Sequence, residues 1–199
     1  MSGWRTHGSR VVYENPWIRV HEDDVTRPDG GVGIYGVVEV RHPSVFVVAV
    51  DDEDRVVLVR LFRYTTGAWS LEVPAGGSDG EEPLVAARRE LLEEAGLVAG
   101  SWDEVGRMDA LNGIADAPEH VFLARDLVAV DGGGSAGSAG SAGAADVAEV
   151  SEAQAEEGIA EVLRVPFAQA LTWVADGTIR DGETVAALAF AAIRLGRLG

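Results

Sequence analysis

Apolar positions along this chain fall first into short strand-like runs and later into helical spacing. From Arg10 to Val20, RVVYENPWIRV sets β-branched and aromatic residues in short stretches broken at Asn15-Pro16, and Val25 to Val40 continues around Pro28-Asp29-Gly30-Gly31, a turn composition that predicts a hairpin. The opening therefore reads as a small antiparallel sheet. Ser44 to Val50 (SVFVVAV) and Arg55 to Phe62 (RVVLVRLF) are apolar runs joined by the acidic turn Asp51 to Asp54, the pattern of a hairpin in a central sheet. Leu71 to Pro74 reads as a strand ended by proline, Ala75 to Gly80 as a loop of small residues, and Glu81 to Leu97 as a helix. Pro83 falls in its first turn, acids gather at the positive end of its dipole, and Gly96 marks its stop. A strand resumes over Val121 to Ala124. Asp131 to Ala145 is low in complexity, with a Gly-Ser-Ala triplet repeated between Gly134 and Ala142, a composition that buries too little to order itself. Its acidic continuation, Asp146 to Glu161, reads as a mobile loop re-entering the fold near Val162.

The helix over Glu81 to Leu97 holds the densest chemistry. At about 100° per residue, Leu84, Leu91 and Ala95 share one face, while Glu90, Glu93 and Glu94 lie within about a 100° arc on the opposite side. Two readings of that acidic face stand. It is either a solvated face balanced by Arg88 and Arg89, or a set of oxygen ligands for a hard divalent cation, Mg²⁺ or Mn²⁺. Just upstream, Arg60 and Arg63 close the second apolar strand before the Gly-rich loop. They are the cations best placed to meet a diphosphate, or else they form surface ion pairs. Trp17 is either a ring on which a base stacks or an aromatic covering the core or a subunit interface. The four acids of Asp51 to Asp54 lack the alternating ligand pattern and distal Glu of a calcium loop and read as a hairpin tip.

Composition narrows the classes. The chain has 199 residues, 47% hydrophobic and 25% charged, enough for one good core but cramped for two. Its net charge of -17, from 16 Lys+Arg against 33 Asp+Glu, argues against a protein that holds nucleic acid by neutralising phosphates. An anionic substrate therefore needs local arginines or metal cations. With no cysteine, disulfides, thiolate metal sites and cysteine nucleophiles are excluded, and a reducing cytoplasm is the expected compartment. No run has the roughly 18 to 20 apolar residues of a membrane span, nor does the N-terminus carry a signal-peptide core.

Arg89-Glu90-Leu91-Leu92-Glu93-Glu94-Ala95-Gly96-Leu97, with seven residues between Glu81 and Arg89, resembles the core of the Nudix box of Nudix hydrolases. Between Gly76 and Glu81 there are four residues where the family usually has five. The likeness runs from about Tyr13 to Ala192. Arg63-Tyr64 with Glu72-Val73-Pro74-Ala75-Gly76, and Arg164 to Phe167 followed by Ala170 to Ile179, resemble the ADP-ribose pyrophosphatase branch, ending in a helical pattern around Thr184 to Leu195. After the box, Leu111 to Glu119 departs from that branch's usual Ser-Pro-Gly and nearby Glu.

The resemblance implies an α+β Nudix fold, a mixed β-sheet sandwiched between helices (α/β/α). It implies an N-terminal antiparallel extension over residues 1–42 and a hydrolase domain over 43–199 carrying a flexible insertion over 131–145. It also implies a metal-dependent hydrolase of nucleoside diphosphate derivatives, foremost ADP-ribose cleaved to AMP and ribose 5-phosphate. Mg²⁺ is the implied cofactor, Mn²⁺ the alternative, with Glu90, Glu93, Glu94 and the Ala75 carbonyl as ligands. The catalytic set it points to is Glu90, Glu93, Glu94, Arg89 and Glu157, with Glu156 and Glu119 as rivals of Glu157 and Glu81 supporting the loop. Arg63, Arg60, Trp17, Glu72 and Glu119 are the implied substrate contacts. A homodimer through the N-terminal strands is expected, with neither nucleic acid nor membrane as partner. Competing readings are another nucleotide sugar, a dinucleotide polyphosphate or an oxidised nucleotide as substrate, and, in a different class, a non-catalytic ADP-ribose sensor. Prenyl-diphosphate isomerase relatives rely on a cysteine that this chain lacks.

Overall fold

The computed structural model describes residues 3–130 and 144–197. Strands β1 (Arg5–Glu14), β2 (Ile18–Thr26) and β3 (Val32–Val40) form the expected antiparallel meander, extended by the two-residue strand β9 (Ala115–Asp116). The break at Asn15-Pro16 is an Asx turn: Asn15 Oδ1 accepts from the Trp17 and Ile18 N–H groups at 2.9 and 2.8 Å. A second sheet orders β7 (Ala75–Gly77), β4 (Ser44–Ala49), β10 (Pro118–Ala129) and β8 (Leu97–Asp109); β4 and β10 run parallel and the other pairs antiparallel. A third, antiparallel, orders β11 (Ile159–Pro166), β5 (Arg55–Arg63) and β6 (Ala68–Glu72).

Strand β4 is buried on both faces. Val45, Val47 and Ala49 pack with Ala86, Ala87 and Leu91 of helix α1 (Pro83–Ala95). Phe46 and Val48 pack with Phe167 and Ala170 of α3 (Phe167–Asp176) and with Ala187, Leu188 and Ala191 of α4 (Gly182–Arg194). This is the α+β arrangement expected, with the mixed sheet between helices.

Four details differ from expectation. First, β4 and β5 do not share a sheet; their side chains pack together in the core, but the only bridge joining the two runs is the isolated Val50–Val56 among the described residues. A run that is apolar on both faces reports burial and not which neighbour it pairs with. Second, the start of the small-residue loop is strand β7, paired with β4, because Ala75, Gly76 and Gly77 carry nothing bulky to obstruct a ladder. The turn after it is tight: Asp79 and Gly80 both take left-handed φ, 50° and 87°, and the Glu81 N–H donates to Ser78 O at 2.8 Å. Third, α1 begins only at Pro83, so its first turn holds no acid; Glu81 is turned to Arg89 instead. Its stop is as expected, with Gly96 left-handed at φ 65°.

Fourth, the expected mobile loop over Asp146 to Glu161 is instead helix α2 (Ala144–Glu156) leading into β11. Its Ala- and Glu-rich composition favours helix, Gly158 at φ 69° ends the turn, and Gln154 Nε2 donates to Glu94 O at 2.9 Å, docking α2 on the end of α1. Of the insertion expected over 131–145, residues 131–143 lie outside the described residues. Among the described residues no helix is long and apolar enough to cross a membrane.

Candidate active site

Helix α1 inserts its apolar face into the core, yet the acidic face is also covered. Glu90 and Glu94, one turn apart, are only 7% and 4% exposed, because β7 lies across them; Glu93 is half-buried. Glu94 Oε2 accepts from the Ala75 N–H at 2.9 Å. A Cβ on Gly76 would collide with the Glu90 carboxylate, so this glycine is what lets strand and acid approach. Arg89 ties the group together: Nη1 donates to Glu90 at 2.7 Å and Glu93 at 2.9 Å, Nε to Glu81 at 3.0 Å, and Nη2 to Gly77 O at 2.8 Å.

The electrostatics follow from the burial. Desolvation pushes the Glu90 carboxyl up to about 7 against the opposing pull of Arg89, with Glu93 and Glu157 adding to the rise. Burial likewise lifts Glu94 to about 8, opposed by the Ala75 N–H and reinforced by Glu90 and Glu157. Several acids thus face one another with too little positive charge among them. By chemistry the donor set suits a hard divalent cation: three carboxylates on one helix face stand beside a short strand of small residues. Ala75 lies opposite Phe46, and its N–H donates to Glu94. Among the described residues no three acidic or histidine side chains are already gathered around one point; Arg89 occupies two of the three box glutamates.

These residues line a cleft of about 460 Å³ that also takes in Trp17, Arg63, Phe46, Glu156 and Glu157. The structure therefore brings Glu90, Glu93, Glu94, Arg89, Ala75, Arg63, Trp17 and Glu157 together, drawing on β2's leading turn, β5, β7, α1 and the α2–β11 turn. Trp17 is 70% exposed at the rim, so it is not a core aromatic. Arg63 reaches the cleft's edge with its Nε held by Glu72 at 3.0 Å, and Glu72 is buried behind it. Arg60 is not in the cleft: its Nε pairs with Glu161 at 3.2 Å and its guanidinium lies 4.6 Å from the Trp69 ring centre.

Glu119 is also elsewhere. It lines a second cleft of about 710 Å³, which shares Arg63 and Phe46 with the first, together with Trp69, Glu72, Thr178, Arg180, Asp181 and Glu183. Sequence reasoning missed the 178–183 segment, although Asp181 just before a helical run is a legible N-cap; its Oδ2 accepts from the Thr184 N–H at 2.7 Å. Nothing in the sequence pointed to Trp69.

The cleft thus joins a buried carboxylate helix and a short Gly strand, with arginine and an aromatic at the rim, within an α/β/α sandwich. Residues 40–188 match the NUDIX domain and residues 4–38 the nucleoside diphosphate sugar hydrolase N-terminal domain; the chain belongs to the Nudix hydrolase family. It is 35% identical over 126 residues to an ADP-ribose pyrophosphatase of Mycobacterium tuberculosis, an alignment covering 62% of this chain and 60%, less than two thirds, of that relative. With an ADP-ribose pyrophosphatase of Bacillus subtilis it shares 29% identity over 94% of this chain and 91% of the relative. The crystal structure of an ADP compounds hydrolase superposes with a TM-score of 0.75, covering 98% of this chain and 97% of the other at 20% identity, which speaks to the fold.

Proposed function

We propose that this Nudix hydrolase cleaves the diphosphate of ADP-ribose to AMP and ribose 5-phosphate. The observation that carries the reading is the first cleft, where the box glutamates, Arg63 and an exposed Trp17 line one wall-to-wall space; the relatives named for ADP-ribose support the substrate. Glu90, Glu93, Glu94 and the Ala75 carbonyl would hold a divalent cation, Mg²⁺ or alternatively Mn²⁺, which when bound supplies positive charge against the diphosphate oxygens and makes water a better nucleophile. Arg89 keeps Glu90 and Glu93 at fixed spacing. Arg63 meets the substrate's negative charge at the cleft edge, and the Trp17 ring offers its face to the adenine. Glu156 and Glu157 line the cleft and have no ion-pair partner among the described residues, whereas Glu93 is held by Arg89; Glu157, the one close enough to Glu90 and Glu94 to raise both, is assigned as acceptor for the attacking water's proton. The new P–O bond forms as the bridging P–O bond of the anhydride breaks, and the bridging oxygen leaves on the other phosphate.

The test is a hydrolysis panel of ADP-ribose, a nucleotide sugar, a dinucleotide polyphosphate and an oxidised nucleotide, each with Mg²⁺ and with Mn²⁺. ADP-ribose is expected to give the highest kcat/KM; another class cleaved tenfold better overturns the substrate. A nucleotide sugar is the second reading, favoured by the match of residues 4–38 to the nucleoside diphosphate sugar hydrolase N-terminal domain. We also propose a homodimer through the N-terminal sheet of residues 1–42, where Val11, Tyr13, Val32 and Ile34 are exposed; a monomer by light scattering refutes that part alone. A cytoplasmic location completes the proposal, tested by cell fractionation.

A further inference from the structure

Helix α2 packs on the C-terminal end of α1, where backbone carbonyls run out of partners inside the helix. There the left-handed Gly96 N–H donates to Leu91 O and Leu92 O, and Gln154 Nε2 donates to Glu94 O at 2.9 Å. Val150, one turn earlier on α2, lies over Gly96, its Cγ1 3.5 Å from where a Cβ would stand. Glu94 is thus engaged at both ends: its carboxylate accepts from the Ala75 N–H, and its backbone carries α2. Downstream of Gln154, the Glu157 N–H donates to Ala153 O at 3.0 Å, so the helical turn runs on to Glu157 before Gly158, at φ 69°, breaks it. Gln154 and Glu157 are three residues apart, the spacing that sets two side chains on one helix face. Glu157 lines the first cleft with Ala153 and Glu156, whereas Gln154 lies outside that lining. Beyond Gly158 the chain enters β11, where Ile159 pairs with Leu61 of β5. Glu157 therefore stands between two fixed points, the Gln154 contact one turn before it and the sheet just after it.

We propose that Gln154 is the positioning residue for Glu157: by tying α2 to the backbone of Glu94, it sets where the Glu157 carboxylate stands in the first cleft. This rests on the function proposed above, in which Glu157 takes the attacking water's proton. Gln154 acts only through Glu157 and takes no part in bond cleavage. A proton acceptor works only within hydrogen-bond reach of the proton it takes, and a displacement of about 1 Å costs up to about a hundredfold in rate. The same residue that offers its side chain to the cation thus fixes, through its carbonyl, the helix that brings in the acceptor.

The experiment is steady-state kinetics on the full chain with Mg²⁺ and the substrate cleaved best in the panel above, for wild type, Gln154→Met, Glu157→Gln and the double variant, with Mn²⁺ affinity measured on each by electron paramagnetic resonance. Gln154→Met keeps the side chain's length and removes its donor. It is expected to lower kcat by about ten- to a hundredfold, while KM and Mn²⁺ affinity stay within about twofold of wild type. Added to Glu157→Gln, it should cost less than about twofold more, because the group it positions is gone. Gln154→Asn, the same amide one methylene short of the Glu94 carbonyl, should lower kcat likewise and keeps the test valid if Gln154→Met does not fold. Overturning results are wild-type kcat in the folded Gln154 variants, an undiminished loss in the Glu157→Gln background, or a fall in Mn²⁺ affinity that parallels kcat and so places the effect on Glu94. Wild-type turnover in Glu157→Gln sinks the proton-acceptor reading and this inference with it, whereas a slow Glu157→Gln beside wild-type kcat in the Gln154 variants sinks this inference alone.

Discussion

The two clefts share Arg63 and Phe46, and buried carboxylates wall both, but they hold those carboxylates differently. In the first, Glu94 rests on the Ala75 N–H and Glu90 and Glu93 on Arg89, so their positions are set before any ligand arrives. In the second, Glu72 and Asp181 are satisfied by the protein, whereas Glu119 Oε2 has no hydrogen-bond partner among the described residues. The same side-chain type is thus held in two ways. The acids of the first cleft are held by helix, strand and guanidinium; Glu119 in the second keeps one oxygen without a partner among the described residues.

Several measurements sharpen or break that contrast, the largest effect first. Glu93→Gln and Glu94→Gln should each lower turnover by at least about a hundredfold with the fold intact, read by steady-state kinetics beside thermal melts; near-wild-type turnover in both would end the account of the first cleft. Gly76→Ala forces the Glu90 carboxylate aside and should cost about ten- to a hundredfold in metal affinity or turnover, with little change in melting temperature.

Titration offers a third handle. In the folded, metal-free protein Glu90 and Glu94 ionise near 7 and 8, against about 4.3 in an unfolded chain. The folded state therefore binds more protons between those limits, and these two groups make stability fall as pH rises from about 4.5 to about 8. Thermal melts in chelator from pH 5 to 8.5 should show a fall that Glu94→Gln flattens; an unchanged slope in the variant contradicts the burial of that acid. Cation binding selects the ionised forms, so it should release protons near pH 7 and weaken as pH drops.

Smaller effects lie in the second cleft. Glu72→Leu strips Arg63 of its partner and should destabilise by about 1–3 kcal/mol. Glu119→Leu removes an unpartnered carboxylate and should leave the melting temperature unchanged or a few degrees higher at pH 8. A large loss there would mean that Glu119 has a structural partner.

Much of the first cleft was legible in the sequence because its residues are local: Arg89, Glu90, Glu93 and Glu94 sit on one helix whose proline start and glycine stop are written beside them. Arg63 and Trp17 were legible as residue types, but their meeting with the box depends on β5 and the β1–β2 turn reaching the same wall. What the sequence left dark is pairing over distance. The β4 and β5 runs look like a hairpin because burial on both faces carries no record of partner, and the two readings of Arg60, phosphate cation or surface ion pair, turn on Glu161 of β11, 101 residues away and paired with it in the fold. Helix α2 follows a low-complexity stretch, and its Ala and Glu residues read as a solvated loop when no docking surface is in view. The unsatisfied oxygen of Glu119 is a property of its surroundings in the fold, and no neighbour in sequence announces it.

The measurement closest to the central claim is product analysis of ADP-ribose with Mg²⁺, run on wild-type protein and Glu94→Gln with binding measured alongside. Wild-type protein should release AMP and ribose 5-phosphate in equal amounts, and the variant at least about a hundredfold less. Wild-type protein that binds ADP-ribose without cleaving it would contradict the account and make the chain a sensor.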